Sequence, residues 1–421
     1  MNAPMPHPRR LLHLLSLVAV CAHGALAGAT LPPDFPTRSR PARPDDPAAA
    51  AFLGALASSA STAEARRAAW ETLSASGSPP PRAVAKAVAQ ARERAWKQLD
   101  ELIRSRTVRQ AAAGLHKTIA PKQAAARGAV GASGFSKEKL DRAMAPLEQA
   151  LDDAIGPLRQ AEAFQALRAR IAELEGYAVG CGLRFGWSDE LLEALCTLRF
   201  VARYAGKPSW LETVDGNRRL GACIDPGEHA CIARLNWHRI LLGLAPVHVD
   251  LRLVVAAKKH SEEMVAKRYF SHESPTPALK GFGARAAREH TGARGECIAA
   301  GGGGGAATFR MWYYSQGHHK IMIGAGPAVG VGRCRNTWTL MMGGSRMRGA
   351  TASKMGRYVR DRYRAADDPA RLLALAKWCA DNRLITQAQD ELLRILELEP
   401  DNQPAKKALD RIRGRAKPRN H

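Results

Sequence analysis

Residues 234–275 read RLNWHRILLGLAPVHVDLRLVVAAKKHSEEMVAKRYFSHESP. A first helical segment holds Leu235, Asn236 and Arg239 and ends near Gly243. Pro246 and Asp250 then lead into a second helix. Its Leu253, Ala257 and Met264 share one face, as on a helix packed along one side. His260 lies on this helix, and His272 follows it in Phe270-Ser271-His272. The spacing does not fit HExxH, which excludes a metalloprotease helix. Any site using these histidines must be assembled from separate segments.

Further along come Arg294-Gly295-Glu296-Cys297-Ile298-Ala299 and Trp312-Tyr313-Tyr314-Ser315-Gln316-Gly317-His318-His319. The Gly301–Gly305 run between them lacks GxxxxGK and reads as a loop, not a phosphate cradle. Ala328–Cys334 (AVGVGRC) and Thr337–Met342 (TWTLMM) alternate like strands around an Arg335-Asn336 turn.

At these motifs the segment resembles the CAP superfamily (cysteine-rich secretory, antigen 5 and pathogenesis-related proteins), in particular its bacterial SCP-like branch. The matching pieces are LNWHR, GLAPV, AAKKHSEEM, YFSHESP, GECIA, WYYSQGHH and VGVG. The resemblance covers about 223–346. It implies an α+β fold, an α-β-α sandwich with an open cleft. By motif His272, Glu296 and His318 line that cleft, and Ser315 stands where many members have a second glutamate. His260 is an additional cleft candidate. His238, His248 and His319 are expected to face solvent. Cys297 replaces the family's asparagine after the glutamate, which points to a disulfide; Cys297 with Cys334 and Cys223 with Cys231 are the pairs expected.

Two neutral imidazoles and one carboxylate leave an open position on a tetrahedral zinc. His272, His318 and Glu296 are therefore the candidate metal set, with zinc the candidate cofactor. The other reading is a hydrogen-bonded polar cleft without metal. A Ser315–His318 nucleophile and base lack an orienting acid identifiable by spacing, and no catalytic residue is assigned.

Outward from this segment, residues 49–205 carry helical stripes, the clearest being Leu140, Met144, Leu147, Leu151, Ala154, Leu158 and Ala161. Pro146 and Pro157 interrupt that stripe and predict kinked or broken helices. Gly206, Pro208, Gly216 and Gly221 mark a boundary over 206–222. Residues 367–412 resemble a tetratricopeptide-like helical hairpin with a third, capping helix, and 413–421 form a basic tail. At the other end, Arg9-Arg10, an apolar run from Leu11 to about Val20, and Ala25-Leu26-Ala27 have the three parts of a secretory signal. This predicts a signal peptide over 1–27 and a Pro-rich linker over 28–48.

The chain has 421 residues and a net charge of +24, from 63 Lys and Arg against 39 Asp and Glu. Such a charge favours anionic partners without specifying a fold. The export signal and the lack of a recognition motif argue against nucleic acid. The expectation is a secreted, extracytoplasmic, non-catalytic binding protein of the cell envelope, with an anionic polymer, a lipid or another protein as partner and no transmembrane segment in the mature chain. The alternative is a metal-dependent hydrolase acting on peptides or other envelope substrates. The expected loss of the second glutamate removes a candidate general base and favours binding.

Overall fold

The computed structural model describes residues 46–416 apart from 76–79, 132–135, 184, 222, 325 and 348. The signal-peptide reading lies outside the described residues, as does the linker up to residue 45. The fold is α+β, a small four-stranded sheet surrounded by helices. No helix among the described residues is long and apolar enough to cross a membrane.

Among the described residues nine helices precede the sheet region: α1 Pro47–Ala57, α2 Ala63–Ala75, α3 Arg82–Ile103, α4 Arg106–Ala111, α5 Leu115–Gly131, α6 Lys137–Gln160, α7 Glu162–Gly180, α8 Asp189–Tyr204 and α9 Trp210–Gly221. The first starts at Pro47, inside the expected linker, because Asp46 caps it by accepting from Ala48 N–H. Helix α9 occupies most of the expected boundary. Of the kinked or broken helices expected there, α6 is not broken: it continues through both Pro146 and Pro157. Its buried Leu140, Met144, Leu147, Leu151, Ile155 and Leu158 explain why. Burying six large apolar side chains contributes on the order of 10 kcal/mol, against about 3 kcal/mol for each interior proline.

Helix α10, Pro226–Leu241, opens with a capping box in which Asp225 and Glu228 satisfy each other's backbone N–H groups. Its side chains join two cores. Ala233, Ile240 and Leu241 pack with the N-terminal helices, while Cys231, Ile232 and Leu235 pack with the sheet. Strand β1, His248–Val249, follows, then helix α11, Leu251–Ala266, capped by buried Asp250. Helix α12, Phe282–Arg288, strand β2, Ala293–Ala300, helices α13, Gly305–Tyr313, and α14, Gln316–Gly324, and strands β3, Ala328–Cys334, and β4, Thr337–Gly343, complete this part.

The sheet order is β1-β3-β4-β2, with β1 parallel to β3 and the other pairs antiparallel. Arg335, at φ 53, and Asn336 turn β3 into β4. One face of the sheet carries Cys297, Val331, Trp338 and Leu340 into an apolar core. The other meets α11, where the VGVG run acquires its physical meaning. A Cβ on Gly330 would lie 2.2 Å from the Leu253 carbonyl carbon, and one on Gly332 would lie 2.1 Å from the Lys258 nitrogen. Only hydrogen fits between strand and helix at these positions.

Four more helices follow: α15 Gly349–Ala365, α16 Pro369–Asp381, α17 Ile385–Leu398 and α18 Gln403–Ala416. Leu372, Leu375, Ala376 and Cys379 of α16 and Ala388, Leu392 and Ile395 of α17 are buried in the same cluster as the sheet's apolar face. The start of the expected basic tail is the last turn of α18, and residues 417–421 lie outside the described residues.

No disulfide joins any two of the described cysteines. The two expected disulfides are therefore corrected. Cys297 on β2 and Cys334 on β3 are separated by β4, where they stand level with Leu340 and Thr337 respectively. Two strand spacings of about 4.8 Å each already exceed the Cα separation of up to about 7 Å that a disulfide spans. Cys223 precedes α10 beside Gly356 of α15, whereas Cys231 is buried within α10 against the sheet.

Candidate functional site

Glu296 is the centre of the site. It stands on β2 opposite Met341 and is 2 % exposed. A carboxylate so buried requires partners on both oxygens. One oxygen accepts from His272 Nδ1 at 2.9 Å and the other from Arg285 at 2.7 Å. His260 Nε2, from the facing helix α11, lies 3.8 Å from the first oxygen and is hydrogen-bonded to the Ser271 carbonyl at 3.1 Å.

Arg285 was not among the candidates from sequence. It lies on α12, itself buried, and also donates to the carbonyls of Leu279, Lys280 and His272 at 2.9–3.0 Å. It therefore ties the loop bearing His272 to the glutamate. In sequence its GARAARE context reads as a solvated basic helix. The only signal available was a buried glutamate in need of a cation.

Glu263 shapes the same loop. Burial would raise its pKa, but hydrogen bonds from Lys267, Thr276, Ser274 and Tyr269 prevail and hold it at about 2. The result is a loop fixed at both ends, with the His272 ring turned outward: its side chain is 50 % exposed.

His318 comes from α14, and its ring centroid lies 6.5 Å from that of His272. Burial, and secondarily the neighbouring His272, lower its pKa. His260 is also lowered, by burial first, with the Glu296 charge opposing. His272, Glu296, His318 and His260 thus meet in one place. Ser315 sits between α13 and α14, and its carbonyl caps α14 by accepting from His319 N–H at 2.7 Å. Its hydroxyl makes no hydrogen bond to His318 among the described residues, so no nucleophile–base pair is formed.

The expectation that His238 and His319 face solvent is corrected. Both are buried, and their Nε2 atoms meet at 2.9 Å while His319 Nδ1 bonds the Tyr313 carbonyl at 2.7 Å. His248 is half-buried within β1. Three other motif residues prove to be structural. Asn236 brackets Val247 by accepting its N–H at 2.7 Å and donating to its carbonyl at 3.1 Å. Arg239 donates to the carbonyls of Ala245 and Met322 at 2.9 and 2.7 Å. Trp312 fixes α13 to β2 through the Ile298 carbonyl at 3.1 Å.

The donor set does not fit the expected zinc. Among the described residues no group of three His, Cys, Asp or Glu is arranged to hold a metal ion. The carboxylate that would supply the third ligand is already shared between an imidazole and a buried guanidinium, whose positive charge opposes a second cation there. What remains available is a pair of imidazole edges beside a carboxylate already neutralised by Arg285.

Residues 232–340 match the cysteine-rich secretory protein (CAP) family. The uncharacterised protein YkwD of Bacillus subtilis strain 168 is 28% identical over 118 residues, 27% of this chain and 44% of that protein. An extracellular protein containing an SCP domain from Bacillus anthracis strain Ames, solved by crystallography, is 28% identical, with 30% of this chain and 43% of that one covered and a TM-score of 0.27. The chain thus spans under half the length of either relative.

Proposed function

Residues 232–340 are a CAP domain of the bacterial branch, and from that premise we propose that the chain is an extracytoplasmic binding protein whose cleft takes an anionic polymer of the cell envelope. The observation that carries this reading is the saturation of Glu296. With one oxygen on His272 and the other on Arg285, the carboxylate is neither a free general base nor a free metal ligand. It orients His272 so that Nε2 is left for a ligand. In its imidazolium form His272 presents Nε2–H while Nδ1–H stays on Glu296, a donor that suits an acceptor-rich, negatively charged chain, and the net charge of +24 draws such a chain in. Export is supported by the N-terminal pattern. The hydrolase reading would require Glu296 to leave Arg285.

The test is calorimetric titration of the full chain with short-chain inorganic polyphosphate. Saturable binding that weakens about tenfold in His272→Ala with His318→Ala, but not in His290→Ala, is the expected result. Binding indifferent to both cleft histidines would reduce the interaction to diffuse charge and overturn the reading.

A further inference from the structure

A cavity of about 380 Å³ lies between α9, the edge strand β1 and the start of α15. None of His260, His272, Arg285, Glu296 and His318 lines it. The sheet order keeps the two places apart. Strand β1 forms one edge of the sheet and β2, with Glu296, the other, so three strand spacings of about 4.8 Å each separate them. A cavity of this volume is at the small end of ligand sites.

One wall is fixed by Asn217. This buried side chain of α9 donates to the Val247 carbonyl at 2.7 Å and accepts from Val249 N–H at 2.8 Å, which holds β1 against the helix. Val249 and Met347 supply hydrocarbon to the lining. The charged groups there have one sign. Arg219 and Arg346 line the cavity with His248, and among the described residues no Asp or Glu does so. The first turn of α15, whose Gly349 and Ala352 border the same space, carries no acid either.

Two carboxylates outside the lining act on these arginines. Glu212 pairs with Arg346 at 2.6 Å, but its side chain is 67% exposed, and a pair so open to water holds weakly. Glu93 feels the charge of Arg219 but is hydrogen-bonded by buried Arg218 at 3.1 Å. Arg219 itself is exposed and makes no hydrogen bond among the described residues. Two guanidiniums on a wall without acid match a group with close to two negative charges, as a phosphate monoester has, better than a single carboxylate. We propose that this cavity binds a small organic phosphate, its phosphate held by Arg219 and Arg346 and its carbon body on Val249 and Met347. The site is independent of the polyanion reading, since it uses none of the cleft histidines.

The probe is n-butyl phosphate at pH 7.5, titrated calorimetrically into the full chain beside inorganic phosphate and n-butanol. Butyl phosphate should bind at one saturable site with a dissociation constant below about 1 mM. Inorganic phosphate should bind about tenfold more weakly for want of the carbon body, and butanol should not bind. Arg219→Met and Arg346→Met should each weaken butyl phosphate about tenfold, the loss of one charge-assisted contact. Glu212→Gln should tighten it about twofold by releasing Arg346. Lys377→Met removes an exposed charge on α16 and should leave the affinity unchanged, as should His272→Ala with His318→Ala. Hydrogen exchange over 349–353 should slow when butyl phosphate is bound. No saturable binding at millimolar concentration, affinity indifferent to both arginines, or an equal loss in Lys377→Met would each overturn the site. Loss of butyl phosphate binding in the double histidine variant would move the ligand to the cleft and also refute the proposal, leaving the polyphosphate titration to decide the other reading. Because the three probes are compared on the unaltered chain, the test stands even if a variant fails to fold.

Discussion

Replacing Arg285 by Met removes the guanidinium but keeps the length of the side chain. The Arg285 and Glu296 side chains are 3% and 1% exposed. Removing one partner of a pair this buried leaves an uncompensated charge and costs about 3–5 kcal/mol. The carbonyls of Leu279, Lys280 and His272 lose their donor as well, which places the expected loss towards the upper end of that range. Adding Glu296→Gln removes the stranded charge and should recover about 2 kcal/mol, leaving the lost carbonyl contacts. Thermal denaturation of the full chain, with hydrogen exchange followed over strand β2, reads both effects where they arise. A loss below about 1 kcal/mol for Arg285→Met, or no recovery in the double variant, would refute the assignment of Arg285 as the cation that neutralises Glu296.

Two further outcomes test the scaffold. Gly332→Ala places a Cβ 2.1 Å from the Lys258 nitrogen; backbone on both sides cannot yield cheaply, so a loss of about 3 kcal/mol or more is expected, seen as a lowered melting temperature. Burial first, and then the His319 ring and the Arg239 charge, lower the pKa of His238, and burial lowers that of His319. The folded chain therefore refuses protons that the unfolded chain accepts below about pH 6.5. The stability from this pair is complete above that pH and should fall by up to about 1.4 kcal/mol per pH unit per histidine as pH decreases. His238→Phe should flatten that slope in thermal melts between pH 7.5 and 5.

The two helices flanking Pro246 and the strand pair around Arg335-Asn336 were legible because short-range patterns specify them. AVGVGRC and TWTLMM alternate, Arg335-Asn336 turns, and Asp250 caps the helix it precedes. Strand β1 was not legible, since two residues cannot show a period and His248–Val249 becomes a strand only by pairing with Ala328–Val329. Motif order located His272, Glu296 and His318 but not the charges around them. Whether Glu296 meets a metal or a guanidinium depends on α12, whose Arg285 carries no local mark of its partner. His238 and His319 misled for a related reason: each imidazole satisfies the other, so their burial is a property of the pair and of no single position. The prolines of α6 left open whether the helix would break, because the surface it would bury is not visible locally.

The most direct measurement is a calorimetric titration of the full chain with zinc at pH 7.5, on the wild type and on His272→Ala with His318→Ala. With Glu296 held by Arg285, the two proteins should show the same weak response and no stoichiometric site assigned to the cleft. A one-to-one zinc site present in the wild type and lost in the double variant would contradict a cleft whose carboxylate is already spoken for.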